Sequence, residues 1–230
     1  MELKTALIVG AGAGLSASLA RLFTKHGLQV ALAARNPDKL AKLAEETAAA
    51  TFACEATEPE EVAALFDVVV ATQGIPDIVV YNASARARGP IETLDPGEVA
   101  RAIAVSGYGG FLVTQQAARL MIGRGSGVIL LTGASASVKG YPNSSAFAMG
   151  KFALRGLAQS MARELSPKNI HVAHFVIDGG IRSALRPDPA NAPDSMLDPD
   201  AIAESYWHVA TQPRSAWTWE VELRPWVEKF

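Results

Sequence analysis

Six short apolar runs, at 5–9, 30–33, 51–54, 78–81, 128–132 and 172–177, constrain the fold of this chain more than any other feature. A strand with one wet face alternates apolar and polar side chains, whereas a run without alternation reads as a strand covered on both faces. Between the runs lie longer stretches, 37–50, 59–72, 96–121 and 144–165. They are long enough for crossover helices, and three of them open on proline, which a helix tolerates in its first turn. Strands alternating with crossover helices predict a doubly wound α/β sheet. The alternating segment 217–223 adds an edge strand, so the expectation is a single Rossmann-type domain with a parallel sheet of about seven strands. No repeat or linker divides residues 1–230, and at 49% hydrophobic composition one sizeable core can be buried.

Composition removes several function classes. A formal net charge of -2 and a pI near 6.1 give no electrostatic reason to expect nucleic acid or an anionic membrane surface. No apolar run approaches the length of a membrane span. The run at 5–9 resembles the core of a secretory signal, but Gly10, Gly12 and Gly14 interrupt it, and strand, turn and helix account for the segment fully. Cys54 is the lone cysteine and can form no intramolecular disulfide, which fits a reducing cytoplasm. His26, His171, His174 and His208 lack metal-ligand spacing with a supporting carboxylate, so no metal is expected. Small-molecule chemistry remains.

The first apolar run feeds Gly10-Ala11-Gly12-Ala13-Gly14-Leu15-Ser16. A turn without bulky side chains lets backbone N–H groups of Gly10, Ala13, Gly14 and Leu15 approach a pyrophosphate at the positive end of the next helix. The pattern is bent, since Leu15 stands where the third glycine of the dinucleotide fingerprint belongs. About twenty residues on, where an acidic side chain would bind the ribose hydroxyls of NAD, the chain has Arg35-Asn36. A guanidinium pairs bidentately with a 2'-phosphate, so NADP(H) is preferred over NAD(H); a solvated arginine or one stacked on adenine is the alternative.

These residues resemble the short-chain dehydrogenase/reductase family over nearly the whole chain. Gly10-x-x-x-Gly14-x-Ser16 is similar to the family's glycine turn, with serine in the last place, and Tyr81-Asn82-Ala83-Ser84 to the element closing the fourth strand. The resemblance implies that Glu55, Ala56, Asn82 and Ala83 contact the nucleotide and that Lys151 binds the nicotinamide ribose. It also implies that the backbone of the turn at 178–183, with Gly179 and Ile181, holds the carboxamide.

The same resemblance implies an altered catalytic set. In Phe147-Ala148-Met149-Gly150-Lys151 a phenylalanine occupies the place of the family's tyrosine, and a benzyl ring cannot move a proton. Ala134 stands for the serine that orients a carbonyl, and Ser106 for an asparagine that holds a water; a shift of register would bring Ser135 or Ser137 into the serine's place. General acid or base assistance is worth about 10² to 10⁴ in rate, so its loss weakens hydride transfer without abolishing it. Lys151 and Ser135 are therefore the candidate catalytic residues. Tyr141, the nearest phenol in sequence, and Asp178, beside the carboxamide turn, are further candidates for proton supply. Each has a simpler role open to it, as a ring packed at a turn and as an acceptor of backbone hydrogen bonds. Ser144 and Ser145 are expected to cap a helix.

The proline- and aspartate-rich segment 183–200 reads as a substrate lid, or else as an inert surface excursion. Trp207, Trp217, Trp219 and Trp226 all fall late. They either pack on their own subunit or help cover an exposed sheet edge, and the resemblance implies a homodimer or homotetramer built on the last strand and two long helices. Two functions remain open: an NADP(H)-dependent oxidoreductase acting on a small carbonyl or alcohol, and a non-catalytic dinucleotide-binding sensor or interaction module.

Overall fold

A computed structural model describes residues 2–183 and 185–228; Met1, Ala184, Lys229 and Phe230 lie outside the described residues. Seven strands form one sheet: β1 (Thr5–Val9), β2 (Gln29–Ala34), β3 (Ala50–Ala53), β4 (Ile78–Tyr81), β5 (Gly127–Thr132), β6 (Ile170–Ile177) and β7 (Glu220–Leu223). Their order is β3-β2-β1-β4-β5-β6-β7 and every pair is parallel. The chain therefore winds outward from β1 in one direction and from β4 in the other. At the reversal between β1 and β4 the crossovers leave a crevice above the carboxyl ends of the strands.

The absence of alternation in the apolar runs has its cause in the layers for every run but 51–54, which forms the edge strand β3 and has no fully buried residue within that strand. Side chains of alternate residues point to opposite faces, so Ala6, Ile8, Val30, Leu32, Val80 and Phe175 pack on one side, and Leu7, Val9, Ala31, Ala33, Val79 and Leu131 on the other. Helices α1 (Leu15–Lys25), α2 (Ala41–Thr47) and α7 (Pro199–Ala210) cover the first face. Helices α3 (Pro59–Gln73), α5 (Gly109–Arg124) and α6 (Ser145–Leu165) cover the second, and α4 (Pro96–Ile103) lies against α6.

Several expectations need correction. The stretch 37–50 is a 3₁₀ turn followed by α2, which stops at Thr47 because Ala48 takes a left-handed backbone, φ 52°. The stretch 96–121 is three pieces: α4, a π-helical turn at Ala104–Tyr108, and α5. Cys54 falls just past β3 and Trp219 just before β7. Ser144 occupies the N-cap of α6, but its side chain makes no capping bond. The excursion after β6 ends at Asp198, whose carboxylate accepts from the Asp200 N–H and caps α7, so Pro199 and Asp200 are helical. Ala184, within the expected lid, lies outside the described residues.

Three of the four tryptophans pack on their own subunit. Trp207 stacks on His26, Trp217 stacks on His171, and Trp219 lies under the Arg155 guanidinium; Trp226 is largely exposed. No helix among the described residues is long and apolar enough to cross a membrane.

Candidate functional site

A cavity of about 830 Å³ opens at the crevice. Its walls come from the ends of four strands: Gly10–Ala13 after β1, Ala34–Asn36 after β2, Cys54–Ala56 after β3, and Asn82–Arg86 after β4. Eight of the expected nucleotide residues, Gly10, Ala13, Arg35, Asn36, Glu55, Ala56, Asn82 and Ala83, meet there. Gly14 and Leu15 stand just beyond, as the N-cap and first residue of α1, where a helix leaves its N–H groups without intrahelical partners.

The bent glycine pattern has a local explanation. Gly10 has φ 84°, and a Cβ there would come within 2.3 Å of the Ala83 nitrogen, so the β1 and β4 turns touch only because this residue is glycine. A Cβ at Gly12 or Gly14 would meet nothing within 4 Å, which leaves the turn open toward the crevice. Ser16 is buried and ties both turns: its hydroxyl donates to the Gly10 carbonyl at 3.3 Å and accepts from Asn82 Nδ2 at 2.7 Å. The dinucleotide implied by these residues fits what the strand ends build, a backbone turn facing a long cleft with cations at its far end.

That far end is more cationic than the sequence pattern alone indicated. Arg35 is largely exposed, with Nε 4.0 Å from the Glu55 carboxylate, and Lys39, on the 3₁₀ turn after β2, lines the same wall. Its signal was the four-residue step from Arg35, legible only once the turn is known. Cys54 also lines the cleft, but burial first, then Glu61 and Glu55, push its thiol up to about 11, which leaves it unreactive.

Lys151 is buried on α6, and its ammonium donates to the Thr132 carbonyl at the end of β5 at 2.7 Å. Burial, with a smaller contribution from the Arg86 guanidinium, pulls its pKa down to about 7. The Phe147 ring lies next to it, its centre 5.8 Å from Nζ, and is only 8% exposed. On this ring rests a residue that sequence reading missed. The Arg86 guanidinium lies 4.0 Å from the ring centre and also lines the cleft.

The serines separate clearly. Ser137 is fully buried, and its hydroxyl accepts from the Ala134 N–H at 3.1 Å and lies 3.4 Å from His174 Nε2. His174 Nδ1 is 3.0 Å from Glu220, which also holds Arg155 through two bonds of 2.6 and 2.7 Å. Arg155, ahead of His174, holds the Glu220 carboxyl below its usual range. A carboxylate only accepts, so Nδ1 carries the proton and Nε2 accepts from Ser137. Burial drives His174 down to about 4, against the pull of Glu220. The groups follow the order of an acyl-transfer triad, yet Ser137 and His174 are 0% exposed; they fix the loop at 133–137 from below. Ser135 is half-buried at the start of the following 3₁₀ turn, and among the described residues its hydroxyl has no hydrogen-bond partner.

Asp178 is 2% exposed, 3.3 Å from Lys139 and 3.1 Å from Arg224, so two cations hold its carboxylate, and among the described residues no backbone N–H donates to it. Tyr141 is exposed, with the Lys139 ammonium 5.9 Å from its ring centre. Ser106, in the π turn, is buried against Gly150, where a Cβ would meet its own at 2.6 Å. Its hydroxyl lies 3.5 Å from the Ala85 N–H, which supports the loop after β4. Gly179 and Ile181 follow β6 outside the cavity wall, and Ile181 bridges to Leu197. No metal-binding cluster occurs among the described residues.

Comparison with known proteins agrees with this geometry. The family model for short chain dehydrogenases matches residues 4–189. An oxidoreductase of Staphylococcus aureus strain N315, itself uncharacterised, is 28% identical over 228 residues, 96% of this chain and 97% of the relative. A short-chain dehydrogenase from Rhodopseudomonas palustris superposes with a TM-score of 0.85 at 35% identity, covering 98% of this chain and 100% of the other. A metagenomic short-chain oxidoreductase in complex with NADP superposes with a TM-score of 0.84 at 28% identity, covering 96% and 97%. With its sheet order, its glycine turn and the buried lysine of α6 in one frame, the chain belongs to the short-chain dehydrogenase family of oxidoreductases.

Proposed function

We propose that this protein is an NADP(H)-dependent oxidoreductase that moves a hydride to or from a small carbonyl or alcohol through an altered proton relay. The observation that carries the reading is the pair of cations, Arg35 and Lys39, on the cleft wall at the end of β2, where a 2'-phosphate is read. The relative crystallised with NADP supports the same cofactor. When bound, the dinucleotide supplies or accepts the hydride. Gly10, Ala13, Gly14 and Leu15 hold its pyrophosphate, Asn36, Glu55, Ala56, Asn82 and Ala83 its adenosine half, and Lys151 its nicotinamide ribose. The backbone at Gly179 and Ile181 holds the carboxamide.

Lys151 is also the group best able to exchange a proton near neutrality, since its pKa is pulled to about 7. Ser135, with its hydroxyl unengaged, orients the substrate oxygen. The excursion at 183–198 closes over the substrate. Its base is already tied, by Arg182 to Asp188 and Asp198 and by the Leu197 N–H to the Gly180 carbonyl at 2.8 Å. Tyr108, Phe111, Met149 and Phe152 are exposed apolar groups on the α5 and α6 side and support self-association there. A reducing, cytoplasmic setting suits the single buried thiol.

A second reading has its own observation. Phe147, with no hydroxyl beside Lys151, favours a non-catalytic member that binds the dinucleotide as a sensor. Arg35→Asp tests the cofactor assignment: it should weaken NADPH far more than NADH, and equal losses would remove Arg35 from the phosphate site. NADPH consumption with a panel of aldehydes and ketones separates the two functions, since a sensor binds without turnover.

A further inference from the structure

Arg86, Arg88 and Arg186 form a cationic group that the cofactor reading does not use. Arg86 and Arg88 come from the loop after β4, and Arg186 from the excursion after β6. Arg86 rests on Phe147, the residue that stands in place of the family's proton donor. Arg186 folds back over the turn after β6, so close that a Cβ on Gly180 would meet its Nη2 at 2.9 Å. Among the described residues, none of the three has a carboxylate within 4 Å. The excursion does carry acids, but Asp188 and Asp198 are both taken by Arg182.

Like charges gathered at one site repel, and an anion placed among them removes that cost. Burial first, and then the charges of Arg88 and Arg186, lower the pKa of Arg86. Stacking on an aromatic face fixes the plane of the guanidinium while leaving its N–H edge free to meet a planar anion in two parallel bonds. Hydrated lysines would give charge without that plane. A carboxylate matches this geometry, and it can be carried by a molecule small enough to put its carbonyl beside Phe147.

Resting on the oxidoreductase reading above, we infer that the substrate is an oxo acid, or the corresponding hydroxy acid, whose carboxylate is bound by Arg86 with help from Arg88 and Arg186. In the reductive direction the carbonyl carbon gains the hydride and its oxygen a proton, NADPH becomes NADP⁺, and the carboxylate is unchanged. Arg86 thus sets specificity and orientation. It also holds a positive charge near the oxygen on which negative charge develops.

The test uses NADPH-loaded protein with pyruvate and benzoylformate, each against its neutral methyl ester. Charge-assisted pairs predict that each acid binds about 10- to 100-fold more tightly than its ester. Arg86→Gln should bring that ratio close to one, and Arg186→Gln should lower it part of the way, while NADPH affinity changes much less than carboxylate affinity. Acid and ester binding alike in the unmodified protein would overturn the inference. So would a phosphate ester of similar size binding more tightly than the acids, or Arg86→Gln weakening NADPH as much as it weakens the carboxylate. NADPH is titrated first by tryptophan fluorescence, so a failure of the cofactor reading is seen separately. Benzoylformate binding to the cofactor-free protein, measured by calorimetry, then still reads the arginine site.

Discussion

Replacing Phe147 with tyrosine adds one oxygen to the site and tests whether everything around it is intact. The ring centre lies 5.8 Å from Lys151 Nζ, and the ring is 8% exposed. A phenol oxygen carried on that ring shares its buried surroundings with the Lys151 ammonium, whose charge favours the phenolate. With Arg86 over the ring as well, two cations stabilise the phenolate and draw its pKa down toward the working range. Acid or base assistance contributes about 10² to 10⁴ in rate. With part of it assigned to Lys151 in the proposed relay, the expected gain in kcat for NADPH-dependent carbonyl reduction is at least about tenfold, or 1.4 kcal/mol of barrier. Should the hydroxyl fail to reach Lys151, its desolvation would cost about 1 to 3 kcal/mol of stability instead. Turnover and thermal unfolding are therefore measured together. An unchanged kcat, with NADPH affinity and melting temperature also unchanged, would refute the claim that the site lacks only this atom.

Two pH responses follow from the buried bases. If Lys151 supplies the proton in reduction, its protonated form is required, so kcat for reduction should fall as pH rises through about 7 while oxidation gains; a flat profile from pH 6 to 9 would remove Lys151 from proton transfer. His174, held near 4 in the folded protein against about 6.5 when unfolded, binds its proton more readily in the unfolded chain. Stability is therefore full above about pH 6.5 and is lost as pH falls toward 4, by up to about 3 kcal/mol. His171, also lowered by burial, acts in the same direction, so His174→Gln should reduce the slope of thermal stability across that window without abolishing it. An unaltered slope would show that His174 is charged in the folded protein.

The layers and strand order follow from a property that each residue carries by itself. A side chain buried on either face of the sheet must be apolar, so the five inner strands showed as runs without alternation; β3, at one edge, is apolar yet only half-buried, and β7 at the other edge showed its half-exposed character. The glycine turn and Arg35 were legible for a similar reason, since backbone approach and guanidinium geometry belong to single residues. What escaped was set by partners distant in sequence. Nothing near Arg86 announces Phe147, sixty-one positions away, and Ser137 could not be separated from Ser135 before His174 and Glu220 were in place beneath it. The two cations beside Asp178 could not be foreseen, because Lys139 and Arg224, one from each flank, meet it only in the folded chain. The π turn at Ala104–Tyr108 accommodates Ser106 and Gly107 against α6, a close approach that no periodicity records.

Every proposed role at the site requires the crevice between β1 and β4 to hold a pyridine dinucleotide. Titrating the purified protein with NADPH and with NADH by calorimetry tests that directly. Saturable binding of one NADPH per chain, tighter than NADH, is the predicted result; no measurable heat or fluorescence change with either coenzyme, from a protein shown to be folded, would contradict it.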